Sequence, residues 1–385
     1  MDGNDRRDFL LAAGLGSAAL ALAAGEVKAE VLPPVKEAPP QHHIKFAVCG
    51  ISHDHVYSMI GAIQRGGGEM VTCWGLEPDK LAGFRRRYPD VKIAASQDEI
   101  INRTDIQLVL SSHIANERAG IGVSAMRAGK DFLADKPGIT TLDDLALVRR
   151  TIATTGRLYG VLYSERLEVP AAVYAGELIA QGAIGKVIQT INIAPHQIIQ
   201  NGGLAGGGTP RPDWFWVDTQ FGGILCDIGS HQIDQFLYYT GSTKAEVVSS
   251  QVANVRHPDR PHFQDFGDMT LRGDKGFGYV RLDWFTPDGL GIWGDGRLFI
   301  LGTDGYIEIR KYTNVAVSKG GNNLFLVDGK SARYIDCANG RLPFGPQFVA
   351  DVVNRTHTAQ DQEQCLLAAE LSIRAQVNAR RVTIA

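Results

Sequence analysis

The stretch Ile44-Lys45-Phe46-Ala47-Val48-Cys49-Gly50-Ile51-Ser52-His53-Asp54-His55-Val56 decides how the first half of the chain folds. Ile44, Phe46 and Val48 alternate and run into Gly50, which reads as a strand ending on a glycine. Val56, Met59, Ile60 and Ile63 then recur at helical spacing. A strand, a tight turn and a helix start together make an anion cradle. The helix N-terminus offers unsatisfied N–H donors, and a small-residue turn lets the backbone approach a pyrophosphate.

Working outward, further strands are expected at residues 70–74, 91–94, 106–110, 131–134 and 158–162, with helical stretches between them. Gly129 is placed to stop a helix beginning near Glu117, and Thr140-x-x-Asp143 reads as a capping box for the next one. Alternating strands and helices predict an α/β, doubly wound parallel sheet. The turn departs from G-x-G-x-x-G, because Ser52 and His55 stand at the second and third glycine positions. Gly50, Ile51, Ser52, His53 and Asp54 are the expected cofactor contacts in this loop. Glu77, at the end of the second strand, is placed to bond a ribose 2′-hydroxyl and to repel a 2′-phosphate. NAD is therefore expected, with NADP kept open by Lys80. His53 and His55 raise a metal site, but no third ligand lies near them in sequence. No metal is expected, and the two imidazoles are assigned to cofactor contacts and helix capping.

The second half changes period. Strands are expected at residues 186–193, 245–255, 265–272, 277–285, Arg297–Gly302, 306–310, 324–327 and Ala332–Asp336, which predicts a large, open, mostly antiparallel sheet. Helices are expected near residues 347–353 and 360–379. The glycines at 202–208 read as a substrate lid. Between these strands lies Gly222-Gly223-Ile224-Leu225-Cys226-Asp227-Ile228-Gly229-Ser230-His231-Gln232-Ile233-Asp234. Asp227, His231 and Asp234 share one helical face. Alone, Asp227 fits a helix-start cap and His231 a core histidine; equally, a carboxylate can orient an imidazole that acts as general acid and base. Asp135-Lys136-Pro137 closes the fifth strand, where parallel sheets border their ligand crevice. An ammonium there lowers the pKa of an alcohol being oxidised, which favours a proton-handling trio of Lys136, Asp227 and His231.

In this combination and order, Ala128-Gly129-Lys130, Asp135-Lys136-Pro137, Gly182-x-x-Gly185-Lys186 and Gly222-Gly223 through Asp234 resemble the Gfo/Idh/MocA oxidoreductases, over about residues 44–380. The resemblance implies a Rossmann domain, an α/β domain with an open antiparallel sheet, and homodimers or homotetramers packed through that sheet. It implies that Lys136 is the family's motif lysine, that His231 is the acid/base and that Asp227 is its partner. Asp135 stands where the family has Glu, and Arg118 where it has a histidine. Asp135, Lys136, Ser111, Ser112 and Asn116 join the cofactor contacts, with Lys136 bridging cofactor and substrate. Arg166, His196, Arg211 and Trp214 are the substrate-pocket candidates, together with the trio.

The 385 residues divide into an export signal over 1–29, a proline-rich linker over 30–43, a dinucleotide domain over 44–165 and a second domain over 166–385. Arg6-Arg7, followed by Phe9 and an Ala/Leu/Gly run, reads as a twin-arginine signal without a lasting membrane anchor, hence a periplasmic or exported protein. A net charge of −3 excludes a nucleic-acid footprint, and five scattered cysteines read as buried thiols. Export separates an enzyme from the cellular NAD pool. The resemblance implies an NAD(P)-dependent oxidoreductase that moves hydride to or from a sugar or sugar-derived alcohol, and export then implies a retained, recycled cofactor. The alternative is a glycoside hydrolase, epimerase or lyase working through transient oxidation, and the last is a non-catalytic sensor.

Overall fold

The computed structural model describes residues 27–36, 38–198, 211–315 and 320–383. Nearly all of the expected export signal and the glycines of the expected lid lie outside them. Six parallel strands lie in the order Lys92–Ile93, Gly68–Trp74, Ile44–Cys49, Leu108–Ser111, Asp131–Asp135 and Tyr159–Leu162. Numbered within this sheet, that is the 3-2-1-4-5-6 order of a dinucleotide-binding fold. The inner strands Leu108–Ser111 and Asp131–Asp135 are buried throughout, because helices cover both faces. The order reverses between Ile44–Cys49 and Leu108–Ser111, which opens a crevice at their carboxyl ends.

The second sheet runs Lys28–Val31, Ala332–Asp336, Asn323–Asp328, Gly305–Arg310, Arg297–Gly302, Val187–Pro195, Phe277–Asp283, Phe266–Gly273, Ala245–Ala253 and Arg380–Val382. It is antiparallel except where Lys28–Val31, Val187–Pro195 and Arg380–Val382 pair in parallel. The expected α/β architecture with two such sheets is borne out. Two local expectations shift. Lys28–Val31 adds an exposed edge strand across the anticipated signal–linker boundary, so the segment before Ile44 is not simply a linker. The cap of helix Leu142–Thr155 is Thr141, one residue later than expected. Its extended backbone aims its hydroxyl at the Asp144 N–H, 3.1 Å away.

The two halves share one core, and the C-terminal helices make the join. Helix Phe344–Asn354 packs on Val56–Arg65 so closely that a Cβ on Gly345 would fall on the Ala62 carbonyl. Ahead of helix Gln362–Val377, the Gln360 amide bonds both backbone groups of Val161, and Gln362 does the same for Tyr159. These amides satisfy the open edge of strand Tyr159–Leu162. The five cysteines are buried and unpaired, as expected. Among the described residues no helix is long and apolar enough to cross a membrane.

The turn that delivers Gln360 is tied by Asp351, whose carboxylate accepts from the Thr356 and Thr358 hydroxyls and from the Thr358 and Ala359 N–H groups. Asp351→Ala strands these donors. It is expected to destabilise the protein by about 3 kcal/mol in denaturant unfolding; a loss under about 0.5 kcal/mol contradicts this role for the turn.

Candidate active site

Lys136 leaves the carboxyl end of strand Asp131–Asp135, at the crevice. Arg118 holds it there. The buried guanidinium donates to the carbonyl oxygens of Asp135, Lys136, Pro137 and His113, so four backbone acceptors of two loops converge on one side chain. Asp227 comes from the second half. Gly222 and Gly223 both sit at positive φ, +85° and +84°, where added Cβ atoms would strike Thr140 and Gln376. That turn starts the short helix Ile224–Asp227. Lys136 Nζ then lies 2.8 Å from Asp227 Oδ1, with both side chains buried. Burial pushes the Asp227 carboxyl up, but the Lys136 ammonium and its hydrogen bond prevail and hold it below its ordinary range.

His231 sits on the next helix, Gly229–Thr240. Its Nδ1 is buried and has no hydrogen-bond partner among the described residues. Burial lowers its pKa to about 3, with Lys136 and His55 adding to the effect and Glu165 opposing it. The ring is therefore neutral and in its base form. Asp227 does not orient it, contrary to expectation, because that carboxylate turns to Lys136. Asp234 does not reach it either. Asp234 takes a bidentate ion pair from Arg166 at 2.6 and 2.9 Å, and the guanidinium lies 4.3 Å from the Tyr238 ring centroid. Arg166 thus serves as a buried clamp between helices rather than in the substrate pocket where it was expected.

A second buried pair escaped the sequence reading. Glu165 accepts from Lys311 Nζ at 2.6 Å and from Gln232 Nε2 at 2.8 Å. Burial acts to raise the Glu165 pKa, yet Lys311, His231 and His196 hold it well below the ordinary value. His196 packs against Trp284 and Trp293, and burial lowers its pKa to about 4. Arg211 lies over the rings of Phe215 and Trp284. Its Nε and the indole Nε1 of Trp214 are buried without partners among the described residues. Phe215 is core and Trp216 packs on Phe263, while Trp214 presents an indole N–H that is buried without a partner among the described residues.

The loop after strand Ile44–Cys49 is built differently from its sequence expectation. Gly50 has φ +98°, and a Cβ there would run into His113. Ile51 is buried, and Ser52 bonds His113 Nδ1 at 3.2 Å. His55 does not cap helix Val56–Arg65. It turns inward, and its Nδ1 meets Asp135 Oδ1 at 3.0 Å while His53 Nδ1 meets Oδ2 at 2.6 Å. The third group thought absent beside these histidines is thus Asp135, brought in from another strand. Ser111 and Ser112, expected on the cofactor, work internally: Ser111 Oγ accepts the His113 N–H, and Ser112 Oγ donates to the His53 carbonyl. Asp54 pairs with Lys80 at 2.7 Å. Glu77 Oε2 and Asn116 Oδ1 are buried without partners among the described residues. These two acceptors, in the segments that follow strands Gly68–Trp74 and Leu108–Ser111, suit ribose or amide donors, so the crevice fits a dinucleotide.

The chain matches the GFO/IDH/MocA C-terminal domain over residues 173–308. It is 44% identical to an oxidoreductase of known structure from Erwinia carotovora atroseptica SCRI1043, across 88% of this chain and 100% of that one, with a TM-score of 0.84. The chain belongs to the Gfo/Idh/MocA family of oxidoreductases. It is also 28% identical to a 1,5-anhydro-D-fructose reductase of Ensifer adhaerens, over 50% of this chain and 55% of that protein. A scyllo-inositol 2-dehydrogenase (NADP(+)) of Bacillus subtilis is 26% identical over 48% of this chain and 50% of its own. The chain spans about half the length of these curated relatives.

The Glu165–Lys311 pair gives a pH test. A carboxyl whose folded pKa lies below its ordinary 4.5 stabilises the protein fully above that pH and ceases to as pH falls. Glu165→Gln is expected to cost about 3–5 kcal/mol at neutral pH by leaving Lys311 unpaired. The variant's stability is also expected to fall less steeply than wild type below pH 4.5. Parallel thermal-unfolding profiles for the two proteins contradict the assignment.

Proposed function

We propose that the protein is an NAD(P)-dependent oxidoreductase, preferring NAD, that acts on the CH–OH group of a sugar or sugar-derived alcohol. The observation that carries this reading is the buried Lys136–Asp227 pair at the carboxyl end of a dinucleotide-type sheet. The relatives act, by their names, on 1,5-anhydro-D-fructose and scyllo-inositol, which supports the substrate class. Glu77 and Asn116 hold the dinucleotide with oxygens that have no partner among the described residues, alongside the loop after Gly50. Lys80 is engaged by Asp54, which leaves Glu77 to set a preference for an unphosphorylated ribose.

When bound, the nicotinamide supplies the site's hydride acceptor or donor. The protein's own task is the proton and the charge. The Lys136 ammonium, fixed by Asp227, stabilises the reacting hydroxyl as an alkoxide. His231, neutral and buried, accepts the hydroxyl proton on oxidation and returns it on reduction. Glu165 behind it offsets the positive charge of the imidazolium. Arg211 Nε and Trp214 Nε1, without partners among the described residues, are donors for the remaining hydroxyls.

Two finer readings belong to the same proposal. The Arg6-Arg7 segment directs export of the protein already folded around its dinucleotide, which is then recycled on the enzyme. The chain also associates as a homo-oligomer through its large sheet. Nicotinamide released from denatured, freshly purified periplasmic protein supports the first; an unprocessed cytoplasmic protein that purifies free of cofactor overturns it.

Lys136→Ala and His231→Ala are each expected to lower turnover roughly a hundred- to ten-thousandfold while NAD still binds. Full turnover in either variant refutes the assigned role. Glu77→Ala is expected to weaken NAD about tenfold and NADP much less. Equal losses for both cofactors contradict the proposed selectivity.

A further inference from the structure

We propose that His53, His55 and Asp135 form a binding site for a divalent transition metal of the zinc type. The proposal goes beyond the hydride chemistry; its residues stand apart from the Lys136–Asp227–His231 trio, while His53 and Asp135 also border the dinucleotide contacts. Each of the three offers one ligand atom, and these atoms all lie within 4.8 Å of one another. Two imidazole nitrogens and one carboxylate oxygen are the donor set that zinc accepts when a further position is left for water or a ligand oxygen. With bonds of about 2.0–2.1 Å, tetrahedral ligands stand about 3.4 Å apart. At present His53 Nδ1 lies 2.6 Å from Asp135 Oδ2 and His55 Nδ1 lies 3.0 Å from Oδ1, so each imidazole already faces the carboxylate at less than that spacing. Side-chain adjustment on the order of 1 Å brings such a group to metal-ligand spacing.

The surroundings are those of a held ligand set rather than a casual surface contact. Asp135 ends a fully buried strand, and its Oδ2 is also approached by Ser112 Oγ at 3.1 Å and by Arg118 Nη2 at 3.4 Å. Such outer partners fix a ligating carboxylate in place. The loop that carries the histidines is pinned by the His53 N–H donating to the Ser112 carbonyl and by Ser112 Oγ reaching back to the His53 carbonyl. Approach from solvent is open on the His55 side, whose side chain is 36% exposed while Asp135 is 1% exposed. The two histidine rings are 4.3 Å apart, and His55 lies 6.4 Å from the ring of His231. A cation here thus stands at the rim of the proton-handling cluster. There it would be the largest local charge and would draw an anionic or hydroxyl oxygen to its open position.

The test uses the full chain stripped with a chelator, then titrated with zinc chloride by calorimetry and with cobalt chloride by visible absorbance. One ion per chain is expected, with a cobalt spectrum of low coordination number. His55→Ala, at a partly exposed position, is expected to weaken zinc by at least about tenfold, and His53→Ala/His55→Ala to abolish stoichiometric binding. His262→Ala, an exposed histidine elsewhere, is expected to leave the titration unchanged. Unfolding of metal-free His55→Ala at the wild-type temperature shows that the loss is of ligand and not of fold. Failure of the wild-type protein to bind either ion overturns the proposal, as does binding that His55→Ala leaves intact. NAD binding measured on the same metal-free samples separates this outcome from failure of the oxidoreductase reading.

Discussion

Ninety-one residues separate Lys136 from Asp227, and the 2.8 Å contact between them is the point on which the two halves of the molecule agree. Each charge alone would be stranded out of water, so neither half can bury its own member without the other in register. The devices around the pair serve that register. Arg118 gathers the carbonyls after strand Asp131–Asp135, and the Gly222-Gly223 turn sets where Asp227 begins its helix. Helix Gln362–Val377 lies between the halves: the Gln376 side chain fills the space beside Gly223, and Gln362 clamps the sheet edge at Tyr159. The chemistry then follows from placement, with a fixed ammonium and a neutral imidazole at the mouth of a crevice whose Glu77 and Asn116 acceptors lack partners among the described residues.

The second constraint is the loop after Gly50. A glycine-rich cradle meets an anion with bare backbone. Here Ser52, His53 and His55 crowd the same turn and bond inward, to His113 and Asp135. Backbone that would otherwise face a phosphate is partly committed, as the His53 N–H is to Ser112. The loop has exchanged some anion-cradling capacity for a compact group of imidazoles against one carboxylate. That exchange sets this chain apart from a plain dinucleotide fold and places extra chemistry at its entrance.

Much of this was legible in the sequence, for reasons that can be named. Period and punctuation carried the strand–helix alternation, the antiparallel second half and the crevice position of Lys136. Side-chain direction was not legible. The spacing puts Asp227 and Asp234 on one helical face with His231, yet Asp227 ends a separate short helix and each carboxylate is captured by a cation from elsewhere, Lys136 and Arg166. Arg166 looked available for substrate only because its partner lies 68 residues away. The Glu165–Lys311 pair, 146 residues apart, and the approach of Asp135 to His53, 82 residues apart, leave no local pattern at all. Tertiary contact alone creates them. Signals confined to one turn did better, although the cap at Thr141 was displaced by one residue.

The central claim is that Asp227 holds Lys136 for catalysis rather than merely closing the domain interface. The most direct measurement is single-turnover reduction of NAD by a sugar alcohol in Asp227→Asn, followed by near-ultraviolet absorbance beside direct NAD binding. The account predicts hydride transfer slowed by at least roughly a hundredfold with NAD affinity within about twofold of wild type. Wild-type transfer rates in a folded, NAD-binding Asp227→Asn protein would contradict it.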